Sequence, residues 1–270
     1  MQPDQLLDEC RGGLDKLTLE WDVARFAQER LDFKPDPTQL SIMNGRVHRG
    51  LLNCTRQWGK STITAVMAVH RAYFRAGSLT IAVSPSARQT GEFVRKAKGF
   101  ARMLGFKTRG DGDNEISMLF PNGSRIVGLP GTEATVRGFS AVSLMVVDEA
   151  ARVSDDLYRA IRPFLAVGGG DLWLMSTPYG KRGFFYEEWS REGGGWARFK
   201  VPATECARIP AHFLADEKAS MGDRWFRQEY LCEFVDTNTT LFNRDVIERA
   251  FTDKVKPLFD ENSEWMRWNR

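Results

Sequence analysis

The chain has 270 residues, of which 42% are hydrophobic and 27% are charged, and these fractions are typical of a globular protein rather than a disordered or fibrous one. Its 38 basic and 35 acidic residues leave a formal net charge of only +3, so the composition permits a nucleic-acid-binding patch without requiring one. No stretch approaches the roughly 18 consecutive apolar residues of a membrane-spanning helix. The four cysteines and three histidines are scattered, which argues against a disulfide framework or a Cys/His metal site. If the protein uses a metal, we therefore expect a hard cation held by oxygen atoms.

Short apolar runs alternate with longer helical segments along most of the chain. A first amphipathic helix is predicted over residues 18–31, and the prolines at positions 35 and 37 separate it from the next one. Strands that alternate with helices in this way indicate a mainly parallel sheet with helices on both faces. The later predicted elements are helix 38–43, strand 51–54, helix 60–76, strand 79–84, helix 87–104, a hairpin of 115–120 and 124–129, strand 143–147, helix 155–166, strand 172–176, and helical residues 216–218 and 224–230.

The segment 54–62, with the sequence CTRQWGKST, has most features of a phosphate-binding P-loop. In such a loop backbone N–H groups surround phosphates, while a lysine and a hydroxyl reach the outer phosphates and Mg²⁺. Gly59, Lys60 and Ser61 fit this pattern, whereas Cys54 stands where the pattern has glycine. An ordinary basic turn is the alternative interpretation. The apolar run before the loop and the helix after it favour the P-loop.

A buried strand that ends in two carboxylates is the second chemical signal. The apolar residues 144–147 precede Asp148 and Glu149, and α/β sheets bind ligands at the carboxyl ends of their strands. Asp148 would hold Mg²⁺ directly or through water, and Glu149 would orient or deprotonate an attacking water. The alternative is an acid pair that favours the N-terminus of a following helix. Because this motif follows the P-loop in the order expected of a nucleotide hydrolase, each of the two supports the other.

Two weaker signals flank this pair. Ser176 and Thr177 end a predicted strand, where their hydroxyl groups would sense the terminal phosphate, although a simple strand-end turn explains them equally well. Gln39 precedes the P-loop strand, and its carboxamide can pair with the N6/N7 edge of adenine. A surface position on a short helix is the alternative for Gln39.

Together these motifs resemble the N-terminal ATPase domain of the terminase large subunit of tailed bacteriophages, the motor that packages DNA into capsids. The similarity runs over residues 30–240, and an arginine and a glutamine inside the loop are typical of this family, so the cysteine at position 54 agrees with it. The matching motifs are Pro37-Thr38-Gln39 for adenine, residues 54–61 as a deviant Walker A motif, residues 146–151 as Walker B, Ser176-Thr177-Pro178 for coupling, and residues 226–230 near the end of the domain.

The resemblance implies a P-loop NTPase fold of the RecA-like, ASCE type that binds ATP and Mg²⁺. It implies catalytic roles for Glu149, Lys60 and Arg137, the last of which would reach the nucleotide of a neighbouring subunit as an arginine finger. It also assigns coupling to Ser176 and Thr177, metal binding to Ser61 and Asp148, and nucleotide binding to Gln39, Thr55, Arg56, Gln57, Trp58, Gly59, Lys60, Ser61 and Thr62.

The resemblance further implies an N-terminal helical segment (1–34), an ATPase domain (35–240) and a linker or the start of a C-terminal nuclease domain (241–270). No nuclease activity is expected from this chain. The implied partners are double-stranded DNA, a homo-oligomeric ring that is a pentamer in the family, the portal and the small terminase subunit, with no membrane. The implied location is the host cell cytoplasm and transiently the procapsid, not the mature virion.

Two other functions stay open at this point. One is a RecA-like helicase lobe, although a helicase needs a second lobe for which 270 residues leave no room. The other is a nucleotide- or DNA-binding assembly module without turnover of its own. A cluster of basic residues between positions 88 and 109 is either a solvated helix face or a contact for DNA phosphates, which a steep salt dependence would reveal.

Overall fold

The computed structural model describes residues 17–131 and 138–236. Arg137 and the predicted segment 241–270 lie outside the described residues, as does the predicted end of the ATPase domain. The described residues up to Val235 belong to one compact unit. Within the described part of the chain, no helix is long and apolar enough to cross a bilayer.

Helices and strands alternate through this unit much as the sequence predicts. The strands are β1 (Arg49–Cys54), β2 (Leu79–Ser84), β3 (Ser117–Leu119), β4 (Arg125–Pro130), β5 (Leu144–Asp148), β6 (Asp171–Ser176) and β7 (Ala197–Val201). The helices are α1 (Val23–Arg30), α2 (Pro37–Asn44), α3 (Lys60–Phe74), α4 (Ala87–Met103), α5 (Asp155–Ile161), α6 (Gly183–Ser190), α7 (Ala211–Met221) and α8 (Asp223–Glu229).

The strands form a single sheet in the order β3-β4-β2-β5-β6-β1-β7. All neighbouring strands run parallel except β3 and β4, which form the predicted antiparallel hairpin. The order places β6 between β1, which leads into the P-loop, and β5, which leads into the two carboxylates. Because parallel strands end at a common edge, the predicted site residues converge there. The predicted α/β fold is confirmed.

Hydrophobic cores cover both faces of the sheet. Along β6, Trp173 and Met175 join a cluster with α1 to α4, whereas Leu172 and Leu174 join a second cluster with α5 and α6. The register sets Gly50 of β1 beside Trp173, and a Cβ at Gly50 would lie 2.2 Å from the indole ring. Glycine at position 50 therefore makes room for this buried tryptophan.

Three local features differ from the sequence-based prediction. The first helix is interrupted, because Asp22 caps α1 by accepting a hydrogen bond from the N–H of Arg25 at 2.7 Å. The predicted helix 155–166 ends as α5 at Ile161 and continues as a 3₁₀ turn over Arg162–Leu165. Helix α6 and strand β7 were not predicted, since α6 is short and β7 is a half-buried edge strand that carries basic side chains.

Candidate nucleotide-binding site

The loop between β1 and α3 has a backbone suited to surround an anion. Gln57 and Gly59 both adopt left-handed conformations, with φ of 62° and 104°. Alternating backbone conformations of this kind turn successive N–H groups toward one concavity, a phosphate-binding nest at a helix N-terminus. Cys54 is instead the last residue of β1 and is fully buried. Its strand conformation needs no glycine, which explains the deviation from the usual motif.

Lys60 is the first residue of α3, and its side chain reaches back to the start of this loop. Its side chain is 7% exposed, and Nζ donates hydrogen bonds to the carbonyl oxygens of Cys54 at 2.7 Å and Thr55 at 3.0 Å. An ammonium group has three donors, so two of them fix its position against the loop. The buried positive charge is thus held at the concavity where the outer phosphates of a nucleotide would bind.

Two side chains brace the loop from outside. Gln39 donates from Nε2 to the carbonyl oxygen of Trp58 at 2.9 Å, and Arg208 donates to the same oxygen. The Gln39 carboxamide also accepts the N–H of Asp36 in a capping box at the start of α2. Both amide atoms of Gln39 therefore have partners within the protein, and the side chain is 1% exposed. The geometry gives Gln39 a role in holding the P-loop, while its contact with adenine stays a prediction.

The side chains of the loop do not all face a ligand. Trp58 is 1% exposed and lies in the core beside α1 to α4, so its predicted contact with a nucleotide would have to come from its backbone. Thr55 is buried, and its N–H donates to the carbonyl oxygen of Val201 at 2.9 Å. Arg56 is more than half exposed, and its guanidinium contacts Glu229 of α8 at 2.7 Å.

The P-loop and the carboxylate strand meet directly. The Ser61 hydroxyl donates to Oδ2 of Asp148 at 2.9 Å, although 87 positions separate the two residues. Adjacent ligands of Mg²⁺ at about 2.0–2.1 Å in an octahedron lie about 2.9 Å apart, so this oxygen pair fits one edge of such a site. No group of three or more His, Cys, Asp or Glu side chains in the described residues could hold a metal. A cation here would therefore take its remaining ligands from phosphates and water.

Asp148 lies in an electrostatically strained position. Burial raises the pKa of its carboxyl group above the ordinary value, and the adjacent Glu149 charge raises it further, while the Ser61 hydrogen bond and the Lys60 charge lower it. Two neighbouring carboxylates that are partly removed from water repel each other. A cation at this strand end would relieve that repulsion.

Glu149 belongs to a network that sequence reasoning missed. Its Oε2 lies 3.0 Å from NH1 of Arg152, and the Arg152 guanidinium also contacts Thr177 and Glu229, each at 3.4 Å. Glu229 in turn binds Arg56 of the P-loop. The spacing of Arg152 three residues after Glu149 was a usable signal, whereas nothing local could connect Glu229 to residues more than 70 positions away.

The two hydroxyl residues predicted for coupling are inside the protein. Ser176 and Thr177 are both fully buried, and the Ser176 hydroxyl has no hydrogen-bond partner among the described residues. Thr177 Oγ1 accepts from Arg152, which also holds Glu149. The structure thus connects Thr177 to the carboxylate through an arginine.

An open cleft of about 440 Å³ lies beside the P-loop and Glu149. It brings together most of the P-loop residues predicted to bind nucleotide. It adds Lys96 of α4, which belongs to the basic cluster predicted to be either a solvated helix face or a contact for DNA phosphates. The lining residues are Arg56, Gln57, Gly59, Lys60, Ser61, Thr62, Lys96 and Glu149.

A phosphate nest at the end of β1, with a serine bound to the carboxylate at the end of β5, defines a P-loop nucleotide-binding domain. A protein-family model described as "Terminase large subunit, T4likevirus-type, N-terminal" matches residues 51–249. The chain therefore belongs to this family.

Relatives and solved structures agree with that assignment. The chain is 27% identical over 252 residues to a terminase large subunit of Thermus virus P23-45 and 26% identical to that of Thermus phage G20c, in each case over 80% of this chain and 52% of the relative. The chain thus spans about half the length of these curated relatives. The large terminase ATPase domain of Thermus phage P74-26 superposes with a TM-score of 0.68 at 24% identity, covering 78% of this chain and 98% of that one. The HK97 bacteriophage large terminase gives a TM-score of 0.63 at 16% identity, over 85% of this chain and 58% of that one. These structural matches show the shared fold.

Proposed function

We propose that this chain is the Mg²⁺-dependent ATPase of a viral DNA-packaging motor, in which ATP hydrolysis drives double-stranded DNA into a procapsid. The observation that carries the proposal is the 2.9 Å contact between Ser61 and Asp148, because it joins the phosphate loop to the carboxylate strand. Family membership supports the packaging role. A structurally similar large terminase, from a thermophilic bacteriophage, has been solved with ADP and with ATP-gamma-S.

Each part of the site has its own proposed role in ATP hydrolysis. The loop N–H groups and Lys60 would bind the phosphates, and Ser61 and Asp148 would hold Mg²⁺, which when bound would neutralise charge on the phosphates. Glu149 faces the cleft and orients or deprotonates the attacking water. Arg137, which lies outside the described residues, completes the site from a neighbouring subunit.

The proposal places the chain in a ring of identical subunits around DNA. Its implied partners are the portal and the small terminase subunit, and its location is the host cell cytoplasm during packaging. A site completed in trans predicts that ATP turnover rises faster than linearly with protein concentration. Tight nucleotide binding without turnover at any concentration would instead favour the assembly module, and duplex unwinding by the chain alone would favour the helicase lobe.

Replacement of Glu149 by alanine is the direct test. We expect Glu149→Ala to lower the rate constant of ATP hydrolysis by about 10²–10⁴-fold, because general-base catalysis contributes about that much. The dissociation constant of ADP should change little, since the loop and Lys60 stay intact. Steady-state hydrolysis and equilibrium nucleotide binding measure the two quantities.

Asp156→Ala is the matched control for Glu149→Ala. The Asp156 side chain is 73% exposed and does not line the cleft, so this variant should hydrolyse ATP at the unsubstituted rate. Equal turnover by Glu149→Ala and the unsubstituted protein would contradict the proposed role of Glu149.

A further inference from the structure

Arg152 holds the side chain of Glu149 more tightly than a surface ion pair would. Its backbone N–H donates to the Glu149 carbonyl oxygen at 2.8 Å, and its guanidinium donates to the Glu149 carboxylate at 3.0 Å. The backbone bond closes the 3₁₀ turn over Ala150–Arg152, whereas the side-chain contact depends on the arginine itself. Glu149 needs such support, because its φ of 51° is a left-handed conformation that a residue with a Cβ rarely adopts.

The Arg152 guanidinium is itself fixed from several sides. It contacts Thr177 at the end of β6 and Glu229 of α8, each at 3.4 Å, and it lies 4.7 Å from the centre of the Tyr179 ring. Its side chain is 25% exposed and that of Glu149 is 20% exposed. Arginine suits this position because one planar group serves several acceptors and stacks on an aromatic ring.

A second pair with the same spacing shows what an ordinary contact looks like. Arg159 and Asp156 are also three residues apart and also 3.0 Å from each other, but both side chains are 73% exposed. Exposed pairs of this kind contribute little. Arg152 differs because it joins Glu149 to the ends of two other elements.

We infer that Arg152 is a positioning residue of the hydrolytic site that orients the Glu149 carboxylate toward the cleft. Because Arg152 also contacts Thr177 and α8, a movement of either would change the orientation of the carboxylate. This inference rests on the proposed function, because it concerns the carboxylate that acts on water. Glu149 is among the residues that line the cleft and Arg152 is not, so the role inferred for Arg152 is to act through Glu149.

The test separates turnover from binding in Arg152→Ala and Arg152→Lys. Displacement of a catalytic group by about 1 Å lowers a rate by about 10²-fold, so Arg152→Ala should lose about that factor in kcat. The KM for ATP and the dissociation constants of ADP and of ATP-gamma-S should stay within about threefold of the unsubstituted values, a difference of under about 1 kcal/mol. Arg152→Lys keeps the positive charge but loses the planar guanidinium with its several donors, so it should recover part of the rate.

Arg159→Ala is the matched control, and it should leave both kcat and KM unchanged. Thr177→Val, which removes the hydroxyl but keeps the shape, should lower kcat by a smaller factor and should have no further effect when combined with Arg152→Ala. Thermal unfolding of every variant separates this effect from a loss of fold.

Unchanged kcat in Arg152→Ala, or additive effects in the double variant, would overturn the positioning role. Weakened binding of ATP-gamma-S but not of ADP would show that Arg152 contacts the terminal phosphate instead, which also overturns it. Absence of ATP turnover in the unsubstituted chain at every concentration would refute the proposed function, and this inference with it.

Discussion

The two ends of strand β6 carry similar ion pairs with different consequences. At its amino end, Asp171 binds Arg71 of α3 and also His48, whose Nδ1 lies 2.8 Å from the carboxylate. At its carboxyl end, Thr177 meets the network of Arg152 and Glu149. Exposure does not separate the two ends, because Arg71 and Asp171 are 17% and 16% exposed and Arg152 and Glu149 are 25% and 20% exposed.

The arrangement of charges does separate them. At the amino end, the Arg71 guanidinium pairs with the Asp171 carboxylate and donates to the carbonyl oxygen of Ser143 at 2.8 Å. The positive and negative charges there are therefore paired with each other. Beside the carboxyl end of β6, at the end of the neighbouring strand β5, Asp148 and Glu149 are adjacent like charges, and the pKa of Asp148 is raised. Like charges kept together reduce stability and are typical of sites that bind a cation or act on a substrate. The amino end therefore has the features of a structural contact, and the carboxyl end has those of a ligand-binding site.

The largest expected effect at the carboxyl end belongs to Lys60. We expect Lys60→Ala to lower ATP turnover by about 10³-fold, because it removes a preorganised charge that is fixed by two backbone carbonyls. Lys96→Ala, which removes an exposed lysine of the same cleft, should have less than about a tenth of that effect, since water screens its charge. Steady-state hydrolysis compares the two, and equal losses would show that burial of Lys60 is not what matters.

Arg71→Ala should produce the opposite pattern at the amino end. Loss of this partly buried partner leaves Asp171 with one contact fewer and the Ser143 carbonyl oxygen with the N–H of Asp171 as its remaining donor, so we expect the free energy of unfolding to fall by about 3 kcal/mol. Nucleotide affinity should stay unchanged in the folded fraction. Urea unfolding and ADP binding measure the two, and weakened ADP binding in folded protein would break the distinction between the ends.

His70, which is buried in α3, makes a smaller and pH-dependent contribution to the free energy of unfolding. Burial lowers the pKa of His70 from 6.5 to about 4; the hydrogen bond to Leu19 opposes this shift, and Arg71 and Arg75 add to it. As the pH falls, His70 binds a proton near pH 6.5 in the unfolded chain but only near pH 4 in the folded chain. This contribution to stability is therefore complete above pH 6.5 and falls as the pH decreases through that window.

The expected size follows from this difference in pKa. Between pH 7 and pH 5 the loss amounts to about 2 kcal/mol, and His70→Gln should abolish that part of the acid sensitivity. The measurement is urea unfolding of both proteins at the two pH values. An identical loss in the variant would show that other groups, mainly carboxylates, cause the acid sensitivity.

Local chemistry allowed most of the elements and motifs to be predicted. The apolar run of β5 before Asp148 and the glycine and lysine at the start of α3 identify the two halves of the site, because strand, turn and helix signals act over a few residues. The break at Asp22 was missed although aspartate is a common helix cap. Strand β7 was missed because an edge strand needs no continuous apolar run.

The amino-acid sequence by itself determined the α/β fold class, the P-loop, the carboxylate pair and the family, since each depends on short-range patterns. Only the tertiary structure decided which side chains face the cleft. It turned Trp58 into the core, engaged both amide atoms of Gln39, and joined Arg152 and Glu229 to Glu149. The physical reason is that these contacts connect residues far apart in the chain, and their geometry is set by the order of strands in the sheet and by the packing of helices on its two faces.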